Sequence, residues 1–207
     1  MNDDFKTHWQ EVYAARTADQ VSWTEPKPAH SLALIRNTQI PKNSPIIDIG
    51  GGDSLLAAYL LEEGYSDITV LDISAKAIGR AKKRLGRKSE KISWLVTDML
   101  DFKPERDYSI WHDRAAFHFL TTSEQKEKYR TIVENAMVNG HLILGTFSLT
   151  GPEKCSGLPV CRYDAEALAK VFKGSFQMKA HFYADHITPF QTIQNFLFSN
   201  FIRINKS

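Results

Sequence analysis

Four aspartates and a run of glycines carry the first chemistry that can be read from this sequence. Gly50-Gly51-Gly52 lies between Asp48 and Asp53, and two more aspartates follow at positions 72 and 98. Consecutive glycines permit a tight turn and let a ligand approach the backbone closely. Such a turn often cradles phosphate, because the helix after it presents free N–H groups and a positive dipole end. The flanking residues argue otherwise here. Leu55 stands where a dinucleotide fingerprint needs its third glycine. No Gly-Lys-Ser/Thr follows, which excludes a P-loop. Two carboxylates beside the turn repel an anion and attract a cation.

A nucleoside that carries a sulfonium and an ammonium but no phosphate suits those carboxylates, and S-adenosylmethionine is such a ligand. Asp72, twenty residues beyond Gly52, falls where a carboxylate can accept both ribose hydroxyl protons. Ile73 can pack on the adenine face. Asp98 offers a short acceptor to the adenine amino group, with Met99 beside it. Each aspartate alone also reads as a turn or N-cap residue, and for Asp53 capping and ligand contact are compatible. Three acidic residues at three successive strand ends are more specific than the glycines.

A ligand with a methyl group on a sulfonium sulfur can pass that methyl to an acceptor by in-line displacement, in which orientation supplies much of the acceleration. Well-held reactants reach effective molarities of ~10⁵ M or more. A base is needed only when the acceptor arrives protonated. His112 and His118 are the candidate bases. Each has a plainer alternative: the His112 ring only packs, and His118 is a helix residue with a satisfied hydrogen bond. Asp113 and Arg114 pair with each other or cap the next helix, and Arg114 is also a candidate substrate contact. Trp9, Tyr13 and Trp23 read as a lid over the cofactor or as core anchors; an aromatic face attracts a cation by ~1–2 kcal/mol when desolvated. The long segment from Thr150 to Tyr163 is expected to shape the acceptor pocket. Its Arg162 either holds an anionic acceptor or caps the following helix.

These residues need elements to position them. Ile46–Ile49 reads as a buried strand ending at the glycines. Ser54 to Glu63 is predicted helical, closed by Gly64. Ile68–Leu71 is a second buried strand, and Ser74 to Leu85 a second helix with Ser74 as N-cap. Further strands are predicted at Ile92–Val96, Tyr108–Trp111 and His141–Phe147, with helices at Glu124–Val138 and Asp164–Phe172. Phe176–Tyr183 and Phe196–Arg203 read as closing strands. Alternation of this kind implies parallel strands with right-handed crossovers, hence an α/β doubly wound sheet. Its ligand belongs at the carboxyl ends of the central strands, near the switch point. Pro26, Pro28, Pro41 and Pro45 punctuate the first quarter, so residues 1–43 read as an N-terminal helical lid or extension on a 44–207 core within one domain.

As a set, Asp48-Ile49-Gly50-Gly51-Gly52, Val70-Leu71-Asp72-Ile73-Ser74, Val96-Thr97-Asp98-Met99 and Trp111-His112-Asp113-Arg114-Ala115 resemble the motifs of class I S-adenosylmethionine-dependent methyltransferases. The resemblance runs from about Ser44 to Phe147. It implies a Rossmann-like, mostly parallel seven-stranded sheet with helices on both faces and one antiparallel strand near the C-terminus. It also implies S-adenosyl-L-methionine as cofactor, with contacts at Asp48, Gly50, Asp72 and Asp98; Gly51, Gly52, Asp53, Ile73, Met99 and Trp111 complete the expected cofactor-binding set. Ser54 stands where many members have a third glycine. Tyr108 to Leu120 and the N-terminal aromatics are similar to a subgroup that includes thiopurine-type, tellurite-type and some protein-lysine methyltransferases. The expected substrate contacts are Trp23, Arg114 and Arg162, with no metal site.

The bulk composition narrows the partners. The chain has 207 residues, 43% hydrophobic and 24% charged, as for one globular domain, and a net charge of +2. That near-neutral balance lacks a nucleic-acid footprint, and no Asn-Pro-Pro-Tyr-like tetrad follows the fourth strand. The basic run Arg80, Lys82, Lys83, Arg84, Arg87 and Lys88 reads as a solvated helix face. Two cysteines, Cys155 and Cys161, make no disulfide framework. With no secretory leader pattern and no membrane-length apolar run, a cytoplasmic location is expected. The acceptor is expected to be a small molecule or, as an alternative, a protein lysine side chain; a further alternative is a module that binds S-adenosylmethionine without turnover, and no nucleic-acid or membrane partner is expected.

Overall fold

The computed structural model describes residues 3–204. Short strands rich in Ile, Val and Leu lie at its centre: β1 (Ile46–Ile49) and β2 (Ile68–Asp72) are buried at every position. That is the pattern of strands covered on both faces. The other parallel strands are β3 (Ile92–Val96), β4 (Ile110–Arg114) and β5 (His141–Phe147). A two-stranded ribbon, β6 (Lys154–Cys155) and β7 (Leu158–Pro159), follows. A long hairpin, β8 (Phe176–Ile187) and β9 (Ile193–Arg203), closes the main sheet. The order is β3-β2-β1-β4-β5-β9-β8. Only β9 runs antiparallel to the parallel strands, pairing with β5 on one side and β8 on the other. This is the doubly wound, seven-stranded sheet expected from the sequence.

Helices cover both faces. α1 (Asp3–Ala15), α2 (Ala29–Asn37), α3 (Leu56–Glu62) and α4 (Ala75–Leu85) share one apolar cluster, in which Leu32, Ile35, Leu60 and Ala77 are fully buried. α5 (Ser123–Ala136) and α6 (Ala165–Val171) cover the other face through Tyr129, Val133, Leu168 and Phe172. α2 packs on β4 and β5, so the N-terminal region forms part of the layer over the sheet.

Local signals set several boundaries. Ser74 caps α4 by accepting from the Ala77 N–H at 3.3 Å. Thr122 and Gln125 form a reciprocal capping box on α5. α3 begins at Leu56, two residues later than predicted, because the glycine turn runs on to Ser54, whose N–H donates to the Gly51 carbonyl. The fourth strand starts at Ile110 and runs three residues past Trp111. The sequence pattern ends this strand at Trp111, before its polar residues. In the fold, His112 and Asp113 are buried and hydrogen-bonded, so the strand continues. The terminal hairpin is also longer than predicted, with a turn at Thr188–Thr192 closed by their backbone and hydroxyl hydrogen bonds.

Candidate functional site

The order of the sheet reverses between β1 and β4, and the carboxyl ends of these neighbours diverge there. Gly50 after β1 and Ala115 after β4 both take left-handed backbone, with φ of 67° and 65°. A Cβ on Gly50 would come within 2.9 Å of the Ala116 Cβ, so the two turns fit only because one of them lacks a side chain. Above them is a cavity of about 260 Å³.

Its floor is acidic. Asp48, Asp53, Asp72 and Asp98 all line the cavity, from the ends of β1, β2 and β3 and the turns after them. Asp72 accepts from the Gly52 N–H at 3.0 Å and the Ser74 N–H at 2.7 Å, which fixes the carboxylate at the lip of β2. Burial pushes its pKa up to about 6, with the charges of Asp48 and Asp53 adding to the rise against those backbone donors. Asp98 Oδ1 accepts from the Leu100 N–H at 2.8 Å, with Met99 beside it in the wall. Asp53 does not cap α3; it pairs with Arg84 and lies 3.7 Å from Arg80, both on α4. Part of the basic run therefore reaches back to the cavity lip.

The glycine turn is filled on its inner side. A Cβ on Gly51 would meet Asp48 Oδ2 at 2.2 Å, and one on Gly52 would meet Asp72 Oδ2 at 2.4 Å and the Ala77 Cβ at 2.6 Å. Gly51 lines the cavity, whereas Gly52 lies behind the wall and serves it through Asp72. Ile73, expected against an adenine, also lines the cavity.

β4 sends alternate residues to opposite faces, as any strand must. Asp48 lies opposite His112 in the β1–β4 register. The His112 Nδ1 meets Asp48 Oδ1 at 2.7 Å, and its Nε2 meets the Ser31 hydroxyl of α2 at 2.8 Å. Arg114 follows on the same face. Its Nη1 donates to the Trp23 carbonyl at 3.0 Å, its Nη2 lies 3.3 Å from Glu25, and its guanidinium stacks over Phe196. Burial lowers the Arg114 pKa. Arg114 thus straps the loop of residues 21–25 over the cavity and does not pair with Asp113. His186 of β8 supports the same loop by donating to the Ser22 carbonyl at 2.6 Å.

Residues on the other face of β4 do different work. Trp111, expected against the cofactor, is buried in the opposite layer, where its Nε1 donates to the Tyr129 hydroxyl at 2.9 Å. That hydroxyl in turn donates to Asp113 Oδ2 at 2.7 Å. Asp113 also accepts from the N–H groups of Ala116 and Phe117 and so caps the short turn that follows. Burial raises its pKa to about 6. Trp111 misses the cavity because the strand extends beyond it and its side chain alternates away.

Two further expectations are corrected. His118, a candidate base, is fully buried between Phe119 and Phe147, outside the cavity lining. Burial, with the charge of Arg114, lowers its pKa to about 3. Its Nδ1 accepts from the Phe147 N–H at 3.4 Å, so its place is structural. Arg162, a candidate substrate contact, holds its own loop instead, through the carbonyls of Leu149 and Gly151 and the carboxylate of Glu153. That loop reaches the cavity through Cys155, whose thiol burial pushes up to about 12.

An aromatic roof closes the space. Trp9 packs edge to face on Trp23 at 5.5 Å and on Phe119 at 5.3 Å, with Phe5 and Tyr13 beside it, and all five line the cavity. The two readings of these aromatics therefore coincide, since they anchor α1 and roof the site at once. Sequence reasoning missed Ser31 and Glu25, which lie outside the motif segments; Phe119 and Cys155 fall within the segments Tyr108–Leu120 and Thr150–Tyr163 but were not singled out for the site. Only the fold brings them to the cavity.

The residues from 46 to 140 match the family model described as methyltransferase domain. The mouse eEF1A lysine and N-terminal methyltransferase is 22% identical over 175 residues, an alignment covering 84% of this chain and 24% of the mouse protein. The chain thus spans about a quarter of that relative's length. Among solved structures, one described as "Conversion of a Disulfide Bond into a Thioacetal Group during Echinomycin Biosynthesis" aligns with a TM-score of 0.78 at 19% identity, covering 98% of this chain and 94% of the other. The N-methyltransferase NodS of Bradyrhizobium japonicum, in complex with S-adenosyl-L-homocysteine, aligns with a TM-score of 0.69 at 19% identity, covering 97% of this chain and 99% of the other.

Proposed function

We propose that this chain, which has the class I S-adenosylmethionine-dependent methyltransferase fold and whose residues 46–140 match a methyltransferase-domain model, transfers the methyl group of S-adenosylmethionine to a small acceptor bound beneath the N-terminal aromatic roof. The observation that carries this reading is the cluster of carboxylates Asp48, Asp72 and Asp98 from three adjacent strand ends in one cavity beside a glycine turn with no room for side chains. Among the described residues Asp48 Oδ2 is buried without a hydrogen-bond partner, as befits a group that awaits a cation or donor. These features fit a cationic nucleoside and disfavour a phosphate. When bound, S-adenosylmethionine supplies an electrophilic methyl group on a sulfonium sulfur.

In this reading Asp72 receives the ribose hydroxyls, Asp98 and Met99 border the base with Ile73, and Asp48, Gly50 and Gly51 border the amino-acid end. Trp9, Tyr13, Trp23 and Phe119 exclude water and present aromatic faces to positive charge. Arg114 holds the roof and stands at the acceptor side with Glu25 and Cys155. Trp9, Trp23 and Phe119 pack over this cavity, which supports an acceptor small enough to sit beneath them. The name of the mouse relative keeps a protein lysine as the second reading. Among the described residues no helix is long and apolar enough to cross a membrane.

The test has two steps. Calorimetry with S-adenosylmethionine should give saturable binding that Asp72→Ala weakens at least about tenfold; absence of heat sinks the proposal. Release of S-adenosylhomocysteine is then followed with a panel of small thiols, amines and phenols and, separately, with a protein lysate. Turnover confined to the lysate would replace the small-acceptor reading by the protein one.

A further inference from the structure

The methyltransferase reading, on which this inference rests, leaves one reactant unassigned: the proton of an acceptor that arrives as X–H. Three side chains in the cavity are arranged to take it. Asp48 meets His112 Nδ1 at 2.7 Å, and His112 Nε2 meets Ser31 Oγ at 2.8 Å. They come from β1, β4 and α2, and all three line the cavity. Their exposures are 3%, 3% and 1%, so solvent does not compete for these hydrogen bonds.

The order of donors follows from the carboxylate. An ionised Asp48 only accepts, so Nδ1 carries its hydrogen toward Asp48. In the neutral ring Nε2 is then an acceptor, and the Ser31 hydroxyl donates to it. A serine oxygen in this setting is activated, because its proton has a ready destination and the imidazolium that forms is held by a carboxylate. Asp113, next to His112 on β4, interacts with it electrostatically. Arg114, two residues on, is the nearby cation on the same face, and Glu25 opposes it. A tie between α2 and the sheet needs no such chain, since Leu32 and Ile35 of that helix are already fully buried against it.

We propose that Asp48, His112 and Ser31 form a proton relay that presents an activated serine oxygen to the methyl acceptor. Ser31 Oγ takes the proton of X–H and gives its own proton to His112 Nε2 as the bond from X to the methyl carbon forms and the methyl–sulfonium bond breaks, its electron pair leaving on the sulfur of S-adenosylhomocysteine. Asp48 holds the resulting imidazolium, and His112 returns the proton to solvent when product leaves. Ser31 is the catalytic residue here; His112 and Asp48 act through it as positioning residues. The acceptor class follows: an alcohol, phenol, thiol or protonated amine, rather than an anion already formed.

Phenylmethylsulfonyl fluoride tests the activation without knowledge of the acceptor. An activated Ser31 oxygen bonds to the sulfonyl sulfur, fluoride leaves, and the serine proton passes to His112. The full chain is treated with the reagent, and the peptide containing Ser31 is followed by mass spectrometry. The expected result is an adduct at Ser31, absent in Ser31→Ala and formed at least about 100-fold more slowly in His112→Gln. A merely structural hydrogen bond gives no adduct. Wild-type protein that binds S-adenosylmethionine by calorimetry yet stays unmodified at Ser31 overturns the relay, as does His112→Gln labelled at the wild-type rate. The wild-type measurement stands even if His112→Gln fails to fold. Labelling at Ser31 in a protein that takes up no S-adenosylmethionine would sink the methyltransferase reading and leave the activated serine in place.

Discussion

Asp72 shows how a single side chain can be kept ready for a ligand. Its pKa is raised to about 6 by burial and by its acidic neighbours. A carboxyl raised in the folded state favours folding below its ordinary value near 3.8 and loses that contribution as pH rises through about 6. At neutral pH the ionised carboxylate is therefore a standing cost to the empty fold, which a cationic ligand bearing hydroxyl donors relieves. S-adenosylmethionine affinity is expected to fall about tenfold between pH 7 and pH 5 as Asp72 takes up a proton. Asp72→Asn should lower affinity at pH 7 and flatten that dependence, because its amide must turn an N–H toward Gly52 or Ser74. Calorimetry at several pH values checks both; a wild-type affinity independent of pH in that range contradicts the assignment.

At the scale of elements, the glycine turn and the N-terminal loop set the cavity walls. A methyl group at position 52 collides with the Asp72 carboxylate and with Ala77. Gly52→Ala should displace that carboxylate and weaken S-adenosylmethionine binding by more than tenfold, on the order of 1.4 kcal/mol or more. Gly79→Ala, on α4 where an added Cβ meets nothing within 4 Å, is the matched control and should bind as wild type. The loop above depends on Arg114, which holds Trp23 and Glu25 from beneath. Arg114→Met keeps much of the apolar stem but removes the strap. Amide exchange in residues 18–28 should then quicken at least about tenfold while exchange in β1 and β2 stays slow, as expected for local opening.

For the molecule as a whole, a ligand that binds the folded chain and not the unfolded one stabilises it by mass action. At one hundred times its Kd, S-adenosylhomocysteine should stabilise the protein by about 2.7 kcal/mol. For a chain of this size each kcal/mol shifts Tm by roughly 2–4 °C, so a rise of about 5–10 °C is expected by calorimetric melting. Asp72→Ala, with binding weakened at least about tenfold, should lose about half of that rise or more. The same comparison separates a binding defect from a folding defect in any variant of the site.

The sequence by itself determined the parallel core and its acidic strand ends, because runs such as Ile46–Ile49 and Ile68–Asp72 must be buried on both faces and each ends at a turn. It also determined the glycine turn and the cap of α4, where local backbone chemistry decides. Only the tertiary structure decided which polar residues meet. Trp111 and His112 are neighbours in the chain, yet strand alternation sends one into the α5 layer and the other to Asp48 and Ser31. Ser31 and His112 lie 81 positions apart, and nothing in local spacing links them. Arg162 and His118 looked available for chemistry until packing consumed them in a loop clamp and in the core. Periodicity and turn chemistry are properties of short segments, whereas a site is made by the crossing of elements, and that crossing is fixed by how whole layers bury their apolar faces against one another.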